Sequence, residues 1–341
     1  MSFLAVQSHA AVEKFYTIGE RFLAFQFSDE VAARVAGEFI GGMYFTPCPP
    51  RAARFVHCTV KIFSGEPPPP LPPGCQTFEV PRGQCHAHGD EHFLDIDESR
   101  IAVYPAASRL VCVWLGTTAH ARHPVAIVNT LSYAVQAALR RGALYVLHAA
   151  GVVEPTTGTG MIIVGNSNCG KSSLTIRLAG AGWRYLSDDM LVLAEENDLI
   201  EAWALRRIFS VSAASLANSG LSGTDAALGA PVNSDPGKRK LEPRIMFPES
   251  FVESCRPHVL LFSTLTGEAA SRVEKLSSGA AMARLIRQCP WASYDAATAR
   301  EHLRALGLMA KQSRSYSLHA GLDLLADATL APQLLASCLE H

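Results

Sequence analysis

The 341-residue sequence predicts an α/β chain: a domain over residues 143–341 built around a phosphate-binding loop, preceded by a smaller α+β domain over residues 1–142. Three observations predict it. The apolar run Gly160–Val164 feeds a glycine-bounded loop that ends in Lys171-Ser172 and opens a helical pattern. The chain before residue 142 reads as short runs of β-branched and aromatic residues with turn signals between them. Between the two lies one helix, Pro124–Arg141, with proline at its start, Arg140 and Arg141 in its last turn and Gly142 just past its end.

Composition narrows the function classes. Apolar residues make up 48% of the chain and charged residues 18%, which suits a buried core and not a disordered chain. The formal net charge of -1 gives no electrostatic footprint for nucleic acid. Nine cysteines without a repeating framework, Cys58 and Cys112 among them in apolar strand-like runs, fit a reducing compartment. Residues 1–5 lack the basic and apolar regions of a signal peptide, and no uncharged apolar stretch reaches membrane-span length. The expectation is a soluble cytoplasmic protein whose partners include neither nucleic acid nor a membrane.

Taken in order, Arg21–Phe27 reads as a strand, and Ser28 offers an N-cap to a helix with Asp29 and Glu30 in its first turn, running to about Phe39. Residues 55–63 read as a strand, and the proline-rich segment 64–74 as a stiff surface connection. Residues 93–96 and 101–104 form a hairpin around Asp97-Glu98-Ser99, and Leu110–Leu115 is a further strand. After Gly142, residues 144–154 read as one apolar strand, 155–158 as a turn and Gly160–Val164 as its hairpin partner. A helix over 172–181 follows the loop, then strands at 183–186 and 190–193 flanking Ser187-Asp188-Asp189. Later helices are expected at 280–287, 296–306 and 331–339.

Gly165-Asn166-Ser167-Asn168-Cys169-Gly170-Lys171-Ser172 matches G-x-x-x-x-G-K-[ST]. Glycines let the backbone curl so that successive N–H groups face phosphate oxygens, and the following helix adds the positive end of its dipole. Lys171 reaches the β- and γ-phosphates, Ser172 offers a hydroxyl to Mg²⁺, and Ser173 continues the helix start. The ligand class is therefore ATP or GTP with Mg²⁺. Asn168 stands where many such loops carry glycine; asparagine tolerates a left-handed backbone. Cys169 faces either the ligand or the helix.

Asp188 and Asp189 end an apolar strand downstream of the loop helix. A parallel strand beside the loop would bring them to the phosphates. One carboxylate can hold Mg²⁺ while the other accepts the proton of an attacking hydroxyl.

Leu147-His148-Ala149-Ala150-Gly151-Val152, Ile162-Ile163-Val164-Gly165, Gly170-Lys171-Ser172 and Gly182-Trp183-Arg184-Tyr185-Leu186-Ser187-Asp188-Asp189 together resemble the C-terminal kinase domain of HPr kinase/phosphorylase. They are closer still to the divergent HPr-kinase-related proteins of bacterial biosynthetic clusters. The resemblance covers about residues 144–193 and implies a relative of the ATP-dependent phosphoenolpyruvate carboxykinase fold, with mixed strands around the loop. It implies ATP as the nucleotide, Asp188 or Asp189 as the base, with Asp188 favoured, and the other carboxylate, Asp189, serving Mg²⁺ with Ser172. It places His148 near the phosphates and acceptor, and it implies that a homo-oligomer can form. The family's downstream Glu-x-Arg-Gly segment is not evident; Leu205-Arg206-Arg207-Ile208 stands in its place, with Arg206 and Arg207 both candidates to neutralise the transferring phosphate and Arg207 assigned to the nucleotide site, and Pro236-Gly237-Lys238-Arg239-Lys240 reads as a later basic, mobile loop, a candidate phosphate or acceptor contact. These departures weaken HPr itself as the substrate and phosphorolysis as an activity.

Cys75, Cys85, His86, His88 and His92 crowd one region, at spacings that match none of the usual paired zinc patterns. The leading expectation is transfer of a γ-phosphate to a hydroxyl, most simply a serine of a peptide or small protein such as a biosynthetic precursor peptide, with residues 1–142 recognising the acceptor. Two others are a small-molecule hydroxyl kinase and a nucleotide-binding switch or assembly factor without phosphoryl transfer. No Asn-Lys-x-Asp guanine-reading motif is present.

Overall fold

The computed structural model describes residues 12–50, 56–80, 82–116, 124–217, 227–232, 235–289, 294–327 and 329–339. Residues 1–5 and the first residue of the expected 55–63 strand lie outside this set. The chain is mixed α/β, with large sheets and few helices. It divides into two compact units, Met1–Ala143 with Trp291–Arg300, and Leu144–Pro290 with Glu301–His341. The segment Trp291–Arg300 thus belongs with the first unit, although sequence order alone assigns it to the second.

In the first unit, strands β1 (Val12–Ile18), β2 (Arg21–Phe27), β3 (Thr46–Cys48), β4 (Cys58–Ser64), β5 (Gln76–Val80), β6 (Gly83–His88), β7 (Glu91–Ile96), β8 (Ser99–Val103) and β9 (Leu110–Leu115) form one sheet, ordered β3-β1-β2-β4-β9-β8-β7-β6-β5. β4 is parallel to both β2 and β9. A parallel neighbour needs a crossover, and helix α1 (Glu30–Gly41) supplies the one from β2 to β4. Its N-cap is Asp29, whose Oδ1 accepts from Ala32 N at 2.8 Å. Ser28 instead donates its hydroxyl to Asp29 Oδ2 at 2.9 Å, so a carboxylate displaces the expected serine cap. The β7–β8 hairpin turns through Asp97 and Glu98 at φ 48° and 66°, the positive pair that a two-residue type I′ loop requires. Helix α2 (Pro124–Arg141) packs on β4, β8 and β9. Within the core the Phe63 and Trp114 rings stack at 5.2 Å. In the Cys/His-rich region, His86 Nδ1 lies 2.8 Å from Thr77 Oγ1, and His92 Nε2 lies 2.7 Å from Tyr133 OH.

The second unit begins with β10 (Leu144–Leu147), β11 (Ala149–Val153) and β12 (Gly160–Val164), followed by helix α3 (Lys171–Gly180). Then come β13 (Arg184–Ser187), β14 (Leu191–Glu196), β15 (Leu199–Ala204), β16 (Phe209–Ser212), α4 (Ala213–Ala217), β17 (Leu228–Val232), β18 (Asp235–Leu241) and α5 (Pro243–Met246). After these come β19 (Ser254–Cys255), β20 (Pro257–Leu265), β21 (Arg272–Leu276), α6 (Ser278–Arg287), α7 (Ala296–Gln312), whose residues up to Arg300 belong to the first unit, β22 (Arg314–Ala320), α8 (Asp323–Ala326) and α9 (Leu330–Leu339). The strands form three sheets, ordered β13-β11-β12-β20-β22-β21, β10-β14-β15-β19 and β16-β18-β17. The helix α3 lies against the first of these over a core that includes Ile163, Leu178, Tyr185 and Leu261.

Three expectations are corrected here. The run 144–154 is two strands, because the chain changes sheets at His148: β10 pairs with β14, whereas β11 pairs with β12 and β13. The strand leading to the aspartates is not the loop strand's neighbour. β11 lies between them, antiparallel to both, so β13 runs in the direction of β12 one place removed. The basic segment 236–240 is not a loop, since it lies in β18, paired with β16 and β17. No described helix is long and apolar enough to cross a membrane.

Candidate active site

Strand β12 ends at Val164, and the chain must turn sharply to enter α3. Two positive-φ residues make that turn, Asn168 at φ 64° and Gly170 at φ 91°. Asparagine is one of the few side chains that visits this region readily. Gly165 is required for space: a Cβ there would meet Cys169 Sγ at 2.5 Å and Ser263 O at 2.7 Å. Cys169 is therefore turned inward against Gly165, and Ser263 fixes it by donating its hydroxyl to Cys169 O at 3.0 Å. Lys171 is buried and donates to Gly165 O at 2.9 Å and Asn166 O at 3.1 Å, inside the curl of the loop. Asn166 Oδ1 accepts from Gln288 Nε2 at 3.2 Å.

Because β13 and β12 point the same way, the residues after both strands emerge at one edge of the sheet. A cavity of about 460 Å³ opens there, lined by residues of the loop from Ser167 to Ser173, by His148, and by Asp188 and Asp189. Such a volume is that of an ordinary small-molecule site. Gly165, Asn166 and Arg207 are not among its lining residues. Arg206 lines the cavity in place of Arg207, as expected where neighbouring side chains of an extended backbone point to opposite sides. Ser187 holds that backbone by donating its hydroxyl to Arg206 O at 3.0 Å.

The two aspartates have different surroundings. Asp189 lies between His148 and Arg206: Oδ1 is 3.0 Å from His148 Nε2, and Oδ2 accepts from Arg206 Nη1 at 2.8 Å. Burial alone would raise its carboxyl. The hydrogen bond from His148 and the charges of Arg206, His148 and Lys171 outweigh burial and hold it well below the usual carboxylate range. Asp188 is 1% exposed. Its Oδ2 accepts from Ser210 N at 3.2 Å, while Oδ1 is buried without a hydrogen bond of ordinary length. Burial raises its pKa and the Asp189 charge raises it further; the Ser172 hydroxyl, Arg206 and the Ser210 N–H oppose this, leaving it at about 6. Adjacent carboxylates with pKa values pushed apart can divide the work of base and fixed anion.

No family model and no curated protein matches the chain. Among solved structures it is similar to the Hpr(Ser) kinase/phosphatase from Coxiella burnetii, at 14% identity, with 56% of this chain and 94% of that chain covered and a TM-score of 0.29. Overlap at that score carries no argument, so the functional reading rests on the side chains of the cavity.

Several of those side chains were not picked out in the sequence. Ser210, Ser212 and Ser215 line the cavity from β16 and α4. Ser173 donates to Ser215 Oγ at 2.8 Å, and Ser212 Oγ lies 2.9 Å from Ser215 Oγ. Lys238, by contrast, belongs to the basic run that the sequence did single out; from β18 it donates to Asn168 Oδ1 at 2.7 Å and so bears directly on the phosphate loop. The alternation of buried Phe209 and Val211 with Ser210 and Ser212 is the one local signal that was available.

Proposed function

We propose that this chain is an ATP- and Mg²⁺-dependent kinase that transfers a γ-phosphate to a hydroxyl, most simply a serine of a peptide or small protein. The observation that carries the reading is the split pair. An ionised Asp189, fixed by His148 and Arg206, adjoins a buried Asp188 with a pKa raised to about 6, in the cavity that holds Lys171. A general base works best when its pKa lies near the operating pH.

The loop N–H groups and the N-terminal end of α3 suit phosphate oxygens. Lys171 adds a cation inside the curl, and Arg206 adds another at the carboxylate pair. Asp188 removes the acceptor's proton as the oxygen attacks. Mg²⁺ fits the donors present: the Ser172 hydroxyl and the Asp189 carboxylate are hard oxygens, and the unsatisfied Asp188 Oδ1 lies buried beside them. When bound, the ion would neutralise charge on the transferring group.

The test is incubation with γ-labelled ATP, Mg²⁺ and a lysate of the host, beside the Asp188→Asn variant. A labelled peptide, protein or metabolite seen with the parent chain alone supports a kinase and reveals its acceptor class. Nucleotide binding with no labelled product from any fraction sinks it in favour of a switch.

A further inference from the structure

The cavity contains serines of its own, and one of them touches the base. Ser210 sits on β16 between Phe209 and Val211, which are 0% and 1% exposed, so Ser210 turns to the opposite side and lines the cavity with Lys171, Ser172 and Asp188. Its backbone N–H donates to Asp188 Oδ2 at 3.2 Å. Any residue but proline could make that bond, so the contact with Asp188 does not call for a serine. The hydroxyl is an additional feature, carried by a strand residue that lines the same cavity.

The neighbouring serines are otherwise committed. Ser212 Oγ accepts from Ser215 N at 3.1 Å and so turns the chain into α4. Ser215 Oγ bridges Ser212 and Ser173 at 2.9 and 2.8 Å, tying this segment to the phosphate-loop helix. These bonds hold the β16–α4 wall in place and leave Ser210 as the serine whose backbone meets the base.

We infer that Ser210 is a phosphoryl acceptor in its own molecule: the protein phosphorylates itself at Ser210, with Asp188 as the base. The inference rests on the kinase reading and names a substrate for the same site. In the step, Ser210 Oγ bonds to the γ-phosphorus of the nucleoside triphosphate as the bond from that phosphorus to the β–γ bridging oxygen breaks. The hydroxyl proton passes to Asp188, and the products are phosphoserine and nucleoside diphosphate. A phosphoserine there adds a dianion beside the Asp188–Asp189 pair, so it stands against the carboxylates and occupies the acceptor's position. The modified chain turns over external acceptors more slowly than the unmodified one.

The full-length protein, purified without phosphate on it, is incubated with ATP and Mg²⁺ alone, and phosphopeptides are mapped by mass spectrometry over time. The expected result is phosphoserine at Ser210, formed at a rate per molecule that does not change on dilution. It is absent in Ser210→Ala and in Asp188→Asn, and replaced by phosphothreonine in Ser210→Thr, which also controls for folding. Label on Ser212, Ser215 or a surface serine in its place, or a rate that falls in proportion to dilution, overturns the inference. So does the absence of label at Ser210 while a lysate acceptor is phosphorylated, when the kinase reading survives alone, or while ADP forms with no phosphorylated product, when the kinase reading falls too in favour of hydrolysis. With neither ADP nor any phosphorylated product, both fall.

Discussion

His148 Nε2 lies 3.0 Å from Asp189 Oδ1, and the histidine occupies the single residue at which the chain leaves one sheet for another. The change of sheet fixes its backbone from both sides, and Asp189 follows a strand of the second sheet. The contact therefore orients the carboxylate from a rigid support. His148→Ala removes a hydrogen bond to a charged group, a contribution of about 1.5–3 kcal/mol. Expressed in the transition state, that lowers kcat/KM roughly 10–100-fold. Arg206→Ala acts on the other oxygen of the same carboxylate. The double variant should lose less than the product of the two single losses, because both act through one group. Fully multiplicative losses in steady-state kinetics would show that the two side chains act separately.

The aspartate pair predicts a pH profile. Asp188 accepts a proton only when ionised, so kcat/KM should rise with pH along a limb with its midpoint at about 6. The Asp189 charge helps to raise that pKa. In Asp189→Asn the limb should therefore move to lower pH, even where the overall rate is reduced. A limb that stays in place or moves upward would separate the two carboxylates.

The same group bears on stability, with a definite sign. Asp188 has an ordinary value of 3.8 and is held near 6 in the fold, so between these values the folded chain binds more protons than the unfolded one. Stability from this group is greatest below the ordinary value and declines as pH rises through about 6. Two pKa units correspond to about 3 kcal/mol, with no discount for screening at so buried a position. Asp188→Asn keeps the shape and removes the charge. The variant should be inactive yet more stable than the parent at pH 8, by up to about 3 kcal/mol, with the difference shrinking towards pH 4. Urea unfolding at the two pH values measures it, and a less stable variant at pH 8 would contradict the assignment.

Gly165 offers a test of the loop. A methyl group there meets Cys169 Sγ and the Ser263 carbonyl oxygen at 2.5 and 2.7 Å, closer than real contacts allow. Gly165→Ala should displace the loop and lower nucleotide affinity at least tenfold, a change of about 1.4 kcal/mol or more. Cys169→Ala relieves one clash and not the other, since Ser263 O is backbone of β20. The double variant should therefore remain impaired. Recovery of affinity in the double variant, read by calorimetry, would mean that the sulfur alone is in the way.

The sequence carried the local parts of this structure well. Arg21–Phe27, Leu110–Leu115, Pro124–Arg141 and Gly160–Val164 begin and end where their patterns and caps place them. Each is bounded by short-range chemistry, such as Pro124 and Gly142 around α2. What sequence did not display is partner choice. Residues 144–153 are apolar on both sides of His148, so no change of periodicity marks the change of sheet there. The insertion of β11 between the loop strand and the aspartate strand is likewise a matter of pairing, as is the strand in which Lys238 lies. The candidate site divides the same way. The phosphate loop and the aspartates are contiguous motifs, whereas Ser210 and Lys238 reach the cavity through the small sheet β16-β18-β17. Arg206 and Arg207 are told apart by which face of an extended segment each occupies, and sequence alone gives both the same standing.

A last prediction concerns the first unit. Asp295 is 0% exposed and accepts from Arg140 Nε at 2.9 Å and from Arg141 Nη1 and Nη2 at 2.6 and 3.2 Å. Burial would raise its carboxyl; the hydrogen bonds from Arg141 and the charges of Arg140 and Arg141 prevail and hold it well below the usual range. Its contribution is therefore present above the ordinary carboxylate value and lost as pH falls towards the depressed one. Asp295 lies in the segment Trp291–Arg300, far along the chain from α2, so this triad ties a late piece of sequence into the unit. Asp295→Ala leaves two guanidinium groups buried without their anion and should cost about 3–5 kcal/mol. Asp295→Asn, which keeps hydrogen-bond acceptors, should cost less. Exchange of Arg141 for methionine on the Asp295→Ala background removes one stranded charge and should recover part of the loss. Thermal unfolding of the series decides it: equal stability for Asp295→Ala and the parent would show that the triad contributes nothing to the unit.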